Sequence, residues 1–388
     1  MKIGFDVSQT AEEMAGCGFF SKQMISHLLE IDRENKYMLY PLFYGYRHPD
    51  YKKAYQSTQP NVMNHFINNS LNHFNQKWQD SVDKSEILGN PDIVHSNNFS
   101  FPSNVNAKRV MTIYDMGYLD CPEYTTEANR LVCFDGAFEA SLYADHILTI
   151  SEFSKRSFMK YFPYYPEERI SVVYLGSRPT LTKVTNVTII QEVQKKFGLT
   201  DSFWLGVGTI EPRKNYRLLL EAYAQLVEEQ AEPKPLYIAG GKGWMEQDIQ
   251  DRINELGVAD KIKFLGYVSD EELSVLYSKC FAFIYPSLYE GFGLPVLEAM
   301  SCGAPVITSN TSSIPEVIGR AGILIDPTDV NSLLIAMRNL ESNNELRSEL
   351  IEKSVGQAQK FSWRTAAQQM LDIYHKVRIT ESWYKKKV

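Results

Sequence analysis

Cysteine is scarce and unpatterned in this 388-residue sequence. Cys17, Cys121, Cys133, Cys280 and Cys302 are odd in number and spaced like neither a zinc site nor a disulfide framework. Reduced thiols in a cytoplasmic protein are expected. No run of about eighteen apolar residues occurs, so no transmembrane helix is expected. Met1-Lys2-Ile3-Gly4-Phe5-Asp6 enters a strand-like run directly, and no signal peptide is expected. Positive charge is not in excess. Forty Lys and Arg against 47 Asp and Glu leave a net charge of −7, which argues against a general nucleic-acid binder. An Asp-x-Asp pair of the kind that holds a divalent ion is also missing, so neither a metal nor another cofactor is expected.

The chain is too long for one ordinary core, and two domains are the natural reading. Short apolar runs recur as strand candidates at Ile3–Val7, Tyr37–Leu42, Ile93–His95, Arg109–Ile113, Ile147–Ile150 and Ile170–Tyr174. Helical spacing appears between several of them, as in Phe19–Leu29 and Glu127–Ala144. A second series begins at Phe203–Val207 and continues at Leu236–Ala239, Ile262–Leu265, Phe281–Ile284, Val306–Ser309 and Ile323–Ile325. Strands alternating with helices predict α/β domains with parallel sheets covered on both faces. The irregular stretch 179–200 reads as a linker between domains at 1–178 and 201–362, with a last helix in 363–388. The Asn- and Gln-rich stretch 61–79 has no clear period and reads as a variable loop or helix.

Leu288-Tyr289-Glu290-Gly291-Phe292-Gly293-Leu294-Pro295-Val296-Leu297-Glu298 follows an apolar strand. Its glycines allow a sharp turn and close backbone approach. Pro295 suits a helix's first turn. Strand, glycine turn and helix N-terminus together make a phosphate site. Glu290 and Glu298 would be repelled by phosphate and suit hydroxyls better. A ligand with a central phosphate flanked by polyhydroxyl groups fits, as in a nucleotide sugar. Upstream, Gly208-Thr209-Ile210-Glu211-Pro212-Arg213-Lys214-Asn215 places two cations before a helix, where the dipole disfavours them unless an anion lies between.

The string from Glu290 to Glu298 resembles the E-x7-E motif of retaining GT-B glycosyltransferases of family four, and the Arg213–Lys214 string resembles that family's G-T-x-E-P-R-K-N motif. The resemblance runs over nearly the whole chain and is strongest from Gly206 to Pro327. It implies a GT-B fold, with two Rossmann-like doubly wound domains facing a central cleft and the last helix returning to the first domain. It also implies transfer of a sugar from a nucleotide donor to a glycan or lipid-linked saccharide acceptor. Arg213 and Lys214 would neutralise the leaving diphosphate. Glu290 would hold donor-sugar hydroxyls and Glu298 the ribose. Backbone amides of Phe292, Gly293 and Leu294, after Gly291, would hold phosphate and sugar. Gly240, Gly241 and Val268 would frame the base, with Thr209 nearby. Gly16 and Gly18 would face the diphosphate from the other domain. Where the family commonly has His-Asp, this chain has Tyr114-Asp115. A phenol can still donate a hydrogen bond, so Tyr114 stays a catalytic candidate, but it is a poor proton shuttle at neutral pH. Asp115 remains a candidate hydroxyl contact or acceptor base. His95, at a strand end, reads as structural rather than catalytic.

Retention is expected by same-face attack, the departing phosphate oxygen taking the acceptor proton. Members with Glu-Pro-Arg-Lys-Asn often build bacterial surface polysaccharide on a lipid carrier. GDP-mannose is therefore the first donor expected, followed by UDP-hexoses and TDP-sugars. The tail Lys385-Lys386-Lys387 offers a peripheral contact with the inner membrane face, although a solvated terminus is the plainer reading. Two other classes stand beside transfer. One is a transfer-deficient nucleotide-sugar-binding regulatory protein, supported by Tyr114. The other is a nucleotide-sugar epimerase, which Gly16-x-Gly18 fits poorly because the third glycine of a nicotinamide fingerprint is absent.

Overall fold

The computed structural model describes residues 1–11, 16–43, 48–66, 68, 75, 78, 83–100, 102, 104–241, 243 and 246–383. Most of the stretch 69–79, Lys242, Trp244 and the basic tail Lys385-Lys386-Lys387 lie outside the described residues. The chain divides into two compact units. Met1–Leu175 and Ser362–Val388 form the first, and Gly176–Phe361 the second.

The first unit carries a seven-stranded parallel sheet in the order β3-β2-β1-β4-β5-β6-β7. Its strands are β1 (Lys2–Asp6), β2 (Lys36–Tyr40), β3 (Val62–Asn64), β4 (Ile93–Ser96), β5 (Lys108–Ile113), β6 (His146–Thr149) and β7 (Ile170–Val172). The chain moves outward from β1 to β3 and then returns to place β4 on the other side of β1. The β1–β4 pair is therefore the point where strand order reverses, and open α/β sheets bind ligands beyond the carboxyl ends of such a pair. Ile3 and Phe5 pair with Ile93 and His95 there. The last helix, Trp363–Ile379, packs on the helix Cys17–Ile31, with Phe19 and Phe20 edge-on to Trp363.

The second unit has six parallel strands in the order β10-β9-β8-β11-β12-β13. They are β8 (Trp204–Val207), β9 (Leu236–Ala239), β10 (Ile262–Gly266), β11 (Ala282–Tyr285), β12 (Val306–Ser309) and β13 (Ile323–Ile325). Here the reversal lies between β8 and β11, where Trp204 and Leu205 pair with Ala282 and Phe283. The central strands are buried on both faces, so they read as continuous apolar runs. Trp204 is fully buried and meets the edge of Phe281 at 4.9 Å. Burial of a side chain this large is worth at least about 2–3 kcal/mol.

The stretch 179–200 is not a free linker. It lies wholly within the second unit and holds the helix Val187–Phe197. Asn186 caps that helix through the amides of Thr188 and Ile189, and Gly198 ends it in the left-handed conformation. Before it, Val184 donates its amide to Ser278 Oγ at 2.9 Å. The prolines and threonines that look like a linker thus mark an extended segment packed on the unit. Among the described residues, no helix is long and apolar enough to cross a membrane.

Candidate functional site

Among the described residues, seven helices hold their first amides with a side-chain cap, from Thr126, Ser151, Asn186, Ser269, Asp329, Asn343 and Ser362. The short helices that open at Gly117 and Ile314 have none, nor do three that open at Cys17, Tyr216 and Leu294. Those three follow the loops that carry the sequence motifs. Their first amides have no intrahelical partner and face outward with the positive end of the dipole.

In the second unit, Arg213 and Lys214 lie in a 3₁₀ turn, Pro212–Lys214, just before the helix Tyr216–Glu228. Asn215 takes φ 57° and donates Nδ2 to the carbonyls of Pro286 and Pro327, at 3.1 and 2.8 Å. This amide ties the loop after β8 to the loops after β11 and β13. The carbonyl of Arg213 accepts from the Leu288 amide at 2.8 Å, and Ser287 Oγ lies 3.0 Å from it. The two motifs are therefore one folded piece.

Glu290 is the centre of that piece. Its Oε1 accepts from Lys214 Nζ at 2.8 Å, Tyr285 Oη at 2.6 Å and Ser287 Oγ at 2.7 Å. Its Oε2 faces Arg213 Nη1 at 2.7 Å. Arg213 also donates Nη2 to Glu211 Oε1 at 2.7 Å and Nη1 to the Tyr289 carbonyl at 2.9 Å. Ser312 Oγ accepts the Glu290 amide, and Ser313 Oγ donates to the Glu290 carbonyl. Burial works to raise the Glu290 pKa. The charges of Lys214 and Arg213, with the Lys214 and Tyr285 hydrogen bonds, outweigh it and hold the carboxyl well below the usual carboxylate range.

The cluster changes the charge count drawn from sequence. Arg213 and Lys214 contribute +2, Glu290 and Glu211 −2, so the four groups balance without a ligand. The anion that the adjacent cations call for is already present as Glu290. The cations keep capacity nonetheless. An ammonium has three N–H bonds, and Lys214 uses two, to Glu290 and Tyr285.

The turn between Glu290 and the helix is built for close approach. Gly291, Phe292 and Gly293 are buried, and Leu294 is half-buried. Gly293 has φ 99°, and a Cβ there would lie 2.6 Å from Ile314 Cδ1. The next three neighbouring strands end alike. Gly208, Gly240 and Gly266 close β8, β9 and β10 with φ of 143°, 145° and 70°. A Cβ on Gly240 would stand 2.2 Å from the Gly208 carbonyl oxygen. Beside this row, Thr209 and Gly241 are exposed and Val268 is half-buried.

Glu298 does not join the Glu290 cluster. Each of its oxygens accepts one bond from Arg178, from Nε to Oε1 at 2.6 Å and from Nη2 to Oε2 at 2.9 Å. Sequence reading passed over Arg178 because it ends the stretch assigned to the first domain, at the edge of the linker-like segment. It also passed over Tyr285 and Ser287, although an aromatic strand end two residues before a serine and five before Glu290 was a usable signal.

In the first unit, the carboxyl ends of β1, β4 and β5 share a buried polar network. Asp6 accepts from the Ser8 amide and hydroxyl on Oδ1 and from the Asn97 amide on Oδ2. Desolvation lifts its pKa to about 6, against those hydrogen bonds. His95 is fully buried, with Nδ1 2.5 Å from Tyr374 Oη and Nε2 2.8 Å from Thr112 Oγ1. Burial pushes it down to about 3, as befits a packed neutral imidazole. Tyr114 is buried against Phe20 and donates its hydroxyl to the Asn97 carbonyl at 2.9 Å. That proton is engaged with backbone, and the ring packs within the first unit. Asp115 is half-buried, and its Oδ1 accepts the Gly117 amide at 2.8 Å. Gly16, with φ 53°, begins the helix Cys17–Ile31. A Cβ on Gly18 would meet the Gln9 carbonyl at 2.7 Å.

The comparisons with known proteins agree with this architecture. The sequence profile of the family described as Glycosyl transferases group 1 matches residues 189–356. The chain is 37% identical over 284 residues to an O-antigen chain mannosyltransferase B of Escherichia coli, which covers 73% of this chain and 74% of that protein. It is 30% identical over 294 residues to a serotype-specific mannosyltransferase WbdA of the same species, spanning 71% of this chain but 36% of WbdA. In fold it is similar to Anabaena HepE, solved with UDP and glucose, at a TM-score of 0.70, 20% identity and coverage of 97% and 100% of the two chains. It is likewise similar to WaaG, a glycosyltransferase involved in lipopolysaccharide biosynthesis, at a TM-score of 0.67, 16% identity and coverage of 96% and 99%. The two parallel-sheet units are those of the GT-B fold, and the chain belongs to the Glycosyl transferases group 1 family and is a glycosyltransferase.

Proposed function

We propose that this protein transfers mannose from GDP-mannose to a glycan or lipid-linked saccharide acceptor in O-antigen synthesis. The observation that carries the choice of sugar is the 37% identity to an O-antigen chain mannosyltransferase over most of both chains. The site is compatible with that chemistry. A departing diphosphate gains negative charge, and Arg213 and Lys214 supply two positive charges within reach of one carboxylate. The uncapped start of the helix Leu294–Ser301 adds roughly half a charge. Hydrogen bonds that tighten as charge develops lower the barrier. These groups offer a route to departure with no metal ion.

Glu290 is assigned to the donor sugar. A carboxylate has about four acceptor sites. Oε1 receives three donors and Oε2 one, so Oε2 keeps room for a sugar hydroxyl. Thr209, Gly240, Gly241 and Val268 are assigned to the base side, and Gly16, Gly18 and Asp115 to the first unit's share of donor and acceptor. Same-face attack, with the leaving phosphate oxygen accepting the acceptor proton, gives retention. The work is placed at the cytoplasmic side of the membrane that holds the lipid carrier.

Purified protein supplied with GDP-mannose and a synthetic lipid-linked acceptor should yield an α-mannosyl product, and should do so in the presence of a chelator. Transfer from a UDP-hexose but not from GDP-mannose would overturn the donor. A β-linked product would overturn retention, and a strict need for Mg²⁺ or Mn²⁺ would overturn metal-free departure.

A further inference from the structure

Arg178 stands two residues after the second unit begins at Gly176. Its guanidinium meets Glu298 side-on, with Nε on Oε1 at 2.6 Å and Nη2 on Oε2 at 2.9 Å. Its remaining nitrogen, Nη1, reaches Asp270 Oδ1 at 2.6 Å. Thr180 Oγ1 donates to the other Asp270 oxygen at 2.6 Å. Asp270 is the first residue of the helix Asp270–Lys279, whose start is fixed by a capping box between Ser269 and Glu272. The bridge is thus anchored at both ends, on the helix Leu294–Ser301 through Glu298 and on the helix Asp270–Lys279 through Asp270.

The geometry leaves a defined vacancy in acceptor capacity. Each carboxylate oxygen offers about two lone-pair sites, and the side-on pair consumes one on each oxygen of Glu298. One site per oxygen remains, on the outer edges of the carboxylate and held in direction by the planar guanidinium. Each is a fixed acceptor for one sugar hydroxyl. An unpaired carboxylate this deeply buried, at 3% exposure, would be costly to keep ionised. Burial lifts the Glu298 pKa above the ordinary carboxylate value, and the hydrogen bonds and charge of Arg178 work against that rise.

We propose that Arg178 is a positioning residue for the donor, holding Glu298 so that a free edge of its carboxylate accepts from the ribose diol, with Asp270 and Thr180 completing the bridge. This rests on the reading that Glu298 receives the ribose. The same arrangement makes the site selective for a ribonucleoside diphosphate over one that lacks the diol.

The test compares GDP and UDP with their 2′,3′-dideoxy counterparts by equilibrium calorimetry on the full chain. Wild-type protein should prefer the better-bound ribonucleotide by about tenfold or more, since hydrogen bonds to a charged group are at stake. Glu298→Gln should erase most of that preference. Arg178→Gln should erase it too, while binding of the dideoxy nucleotide stays within twofold of wild type. Arg178→Lys should restore part of it, and Asp270→Asn should give an intermediate ratio. Should Arg178→Gln fail to fold, the lysine and Asp270→Asn variants decide by the same ratio. If Glu298→Gln loses the preference while the Arg178 and Asp270 variants keep it, Arg178 has no positioning role and the ribose reading survives. If wild type shows no preference, or Glu298→Gln keeps it, the ribose reading fails and takes this proposal with it.

Discussion

Tyr285 donates its hydroxyl to Glu290 Oε1 at 2.6 Å, and the face of its ring lies 4.9 Å from Lys214 Nζ. One aromatic side chain therefore supports both members of the central ion pair. It stands at the carboxyl end of β11, at the reversal of strand order, so its position is set by the sheet. Removing the hydroxyl in Tyr285→Phe withdraws one donor from the carboxylate and one acceptor from the ammonium. The loss should be about 1–2 kcal/mol of stability and roughly tenfold in kcat/KM, read by urea denaturation and by transfer rates. Unchanged denaturation would show that the hydroxyl contributes nothing net.

Acid should destabilise the first unit before it touches the Glu290 cluster. His95 is buried and neutral with its pKa pushed down to about 3, and His146 is pushed down to about 3 by burial and by Lys376 and Arg169. In the unfolded chain both titrate near 6.5. The unfolded state then binds more protons between about pH 3 and 6.5, so stability falls as pH drops through that window. From pH 7 to 5 each imidazole withdraws about 2 kcal/mol. Asp6 acts in the opposite sense. Its folded pKa of about 6 lies above its unfolded value, so its contribution is complete below about pH 4 and is lost as pH rises through 6. Glu290, held low, contributes stability above about pH 4 that is lost only as pH falls through its depressed value. Urea midpoints should therefore be lower at pH 5 than at pH 7, and Asp6→Asn should widen that gap. Equal midpoints at the two pH values would contradict the sign worked out here.

The glycine turn can be tested through two separate costs. Gly293→Ala puts a Cβ at φ 99° and 2.6 Å from Ile314 Cδ1. Together these should cost about 2–4 kcal/mol. Ile314→Val deletes the offending methyl and should recover the steric part while leaving the backbone part. Thermal melts of the two single variants and the double variant give the coupling. Strict additivity would mean that the turn relieves the contact by moving, and that the close approach is not enforced.

Much of this organisation is legible in the sequence because its physical causes are local. A strand buried on both faces is an unbroken apolar run, as in Phe281 to Ile284, and a turn at positive φ calls for glycine, as at Gly293. What sequence hides is decided between distant residues. Arg178 reads as the end of a domain beside a linker because the partner that gives it meaning, Glu298, lies 120 residues away. Arg213 and Lys214 read as two unmatched cations because their counter-charge, Glu290, comes from the loop after β11. Tyr114 reads as a candidate for chemistry because its place at a strand end is visible and the Asn97 carbonyl that accepts its hydroxyl is not. The edge strand Val62–Asn64 is too short and polar to stand out.

The strongest coupling in the molecule should be that between Lys214 and Glu290. Lys214 is about nine-tenths buried, and so is its partner. Breaking such a pair from one side strands a charge, at a cost of about 3–5 kcal/mol. Glu290→Gln should therefore cost stability as well as activity, because Arg213 keeps Glu211 while Lys214 loses its only carboxylate among the described residues. Lys214→Met should cost less in stability, since Arg213, Tyr285 and Ser287 still satisfy Glu290. It should cost more in turnover, about a hundredfold or more, because the ammonium meets charge that develops only as the leaving group departs. The double variant should be more stable than the sum of the single losses implies, and no more active than Lys214→Met. A denaturation cycle with no coupling, or a Lys214→Met enzyme near wild-type turnover, would separate this pair from the chemistry and leave it a purely structural tie between two loops.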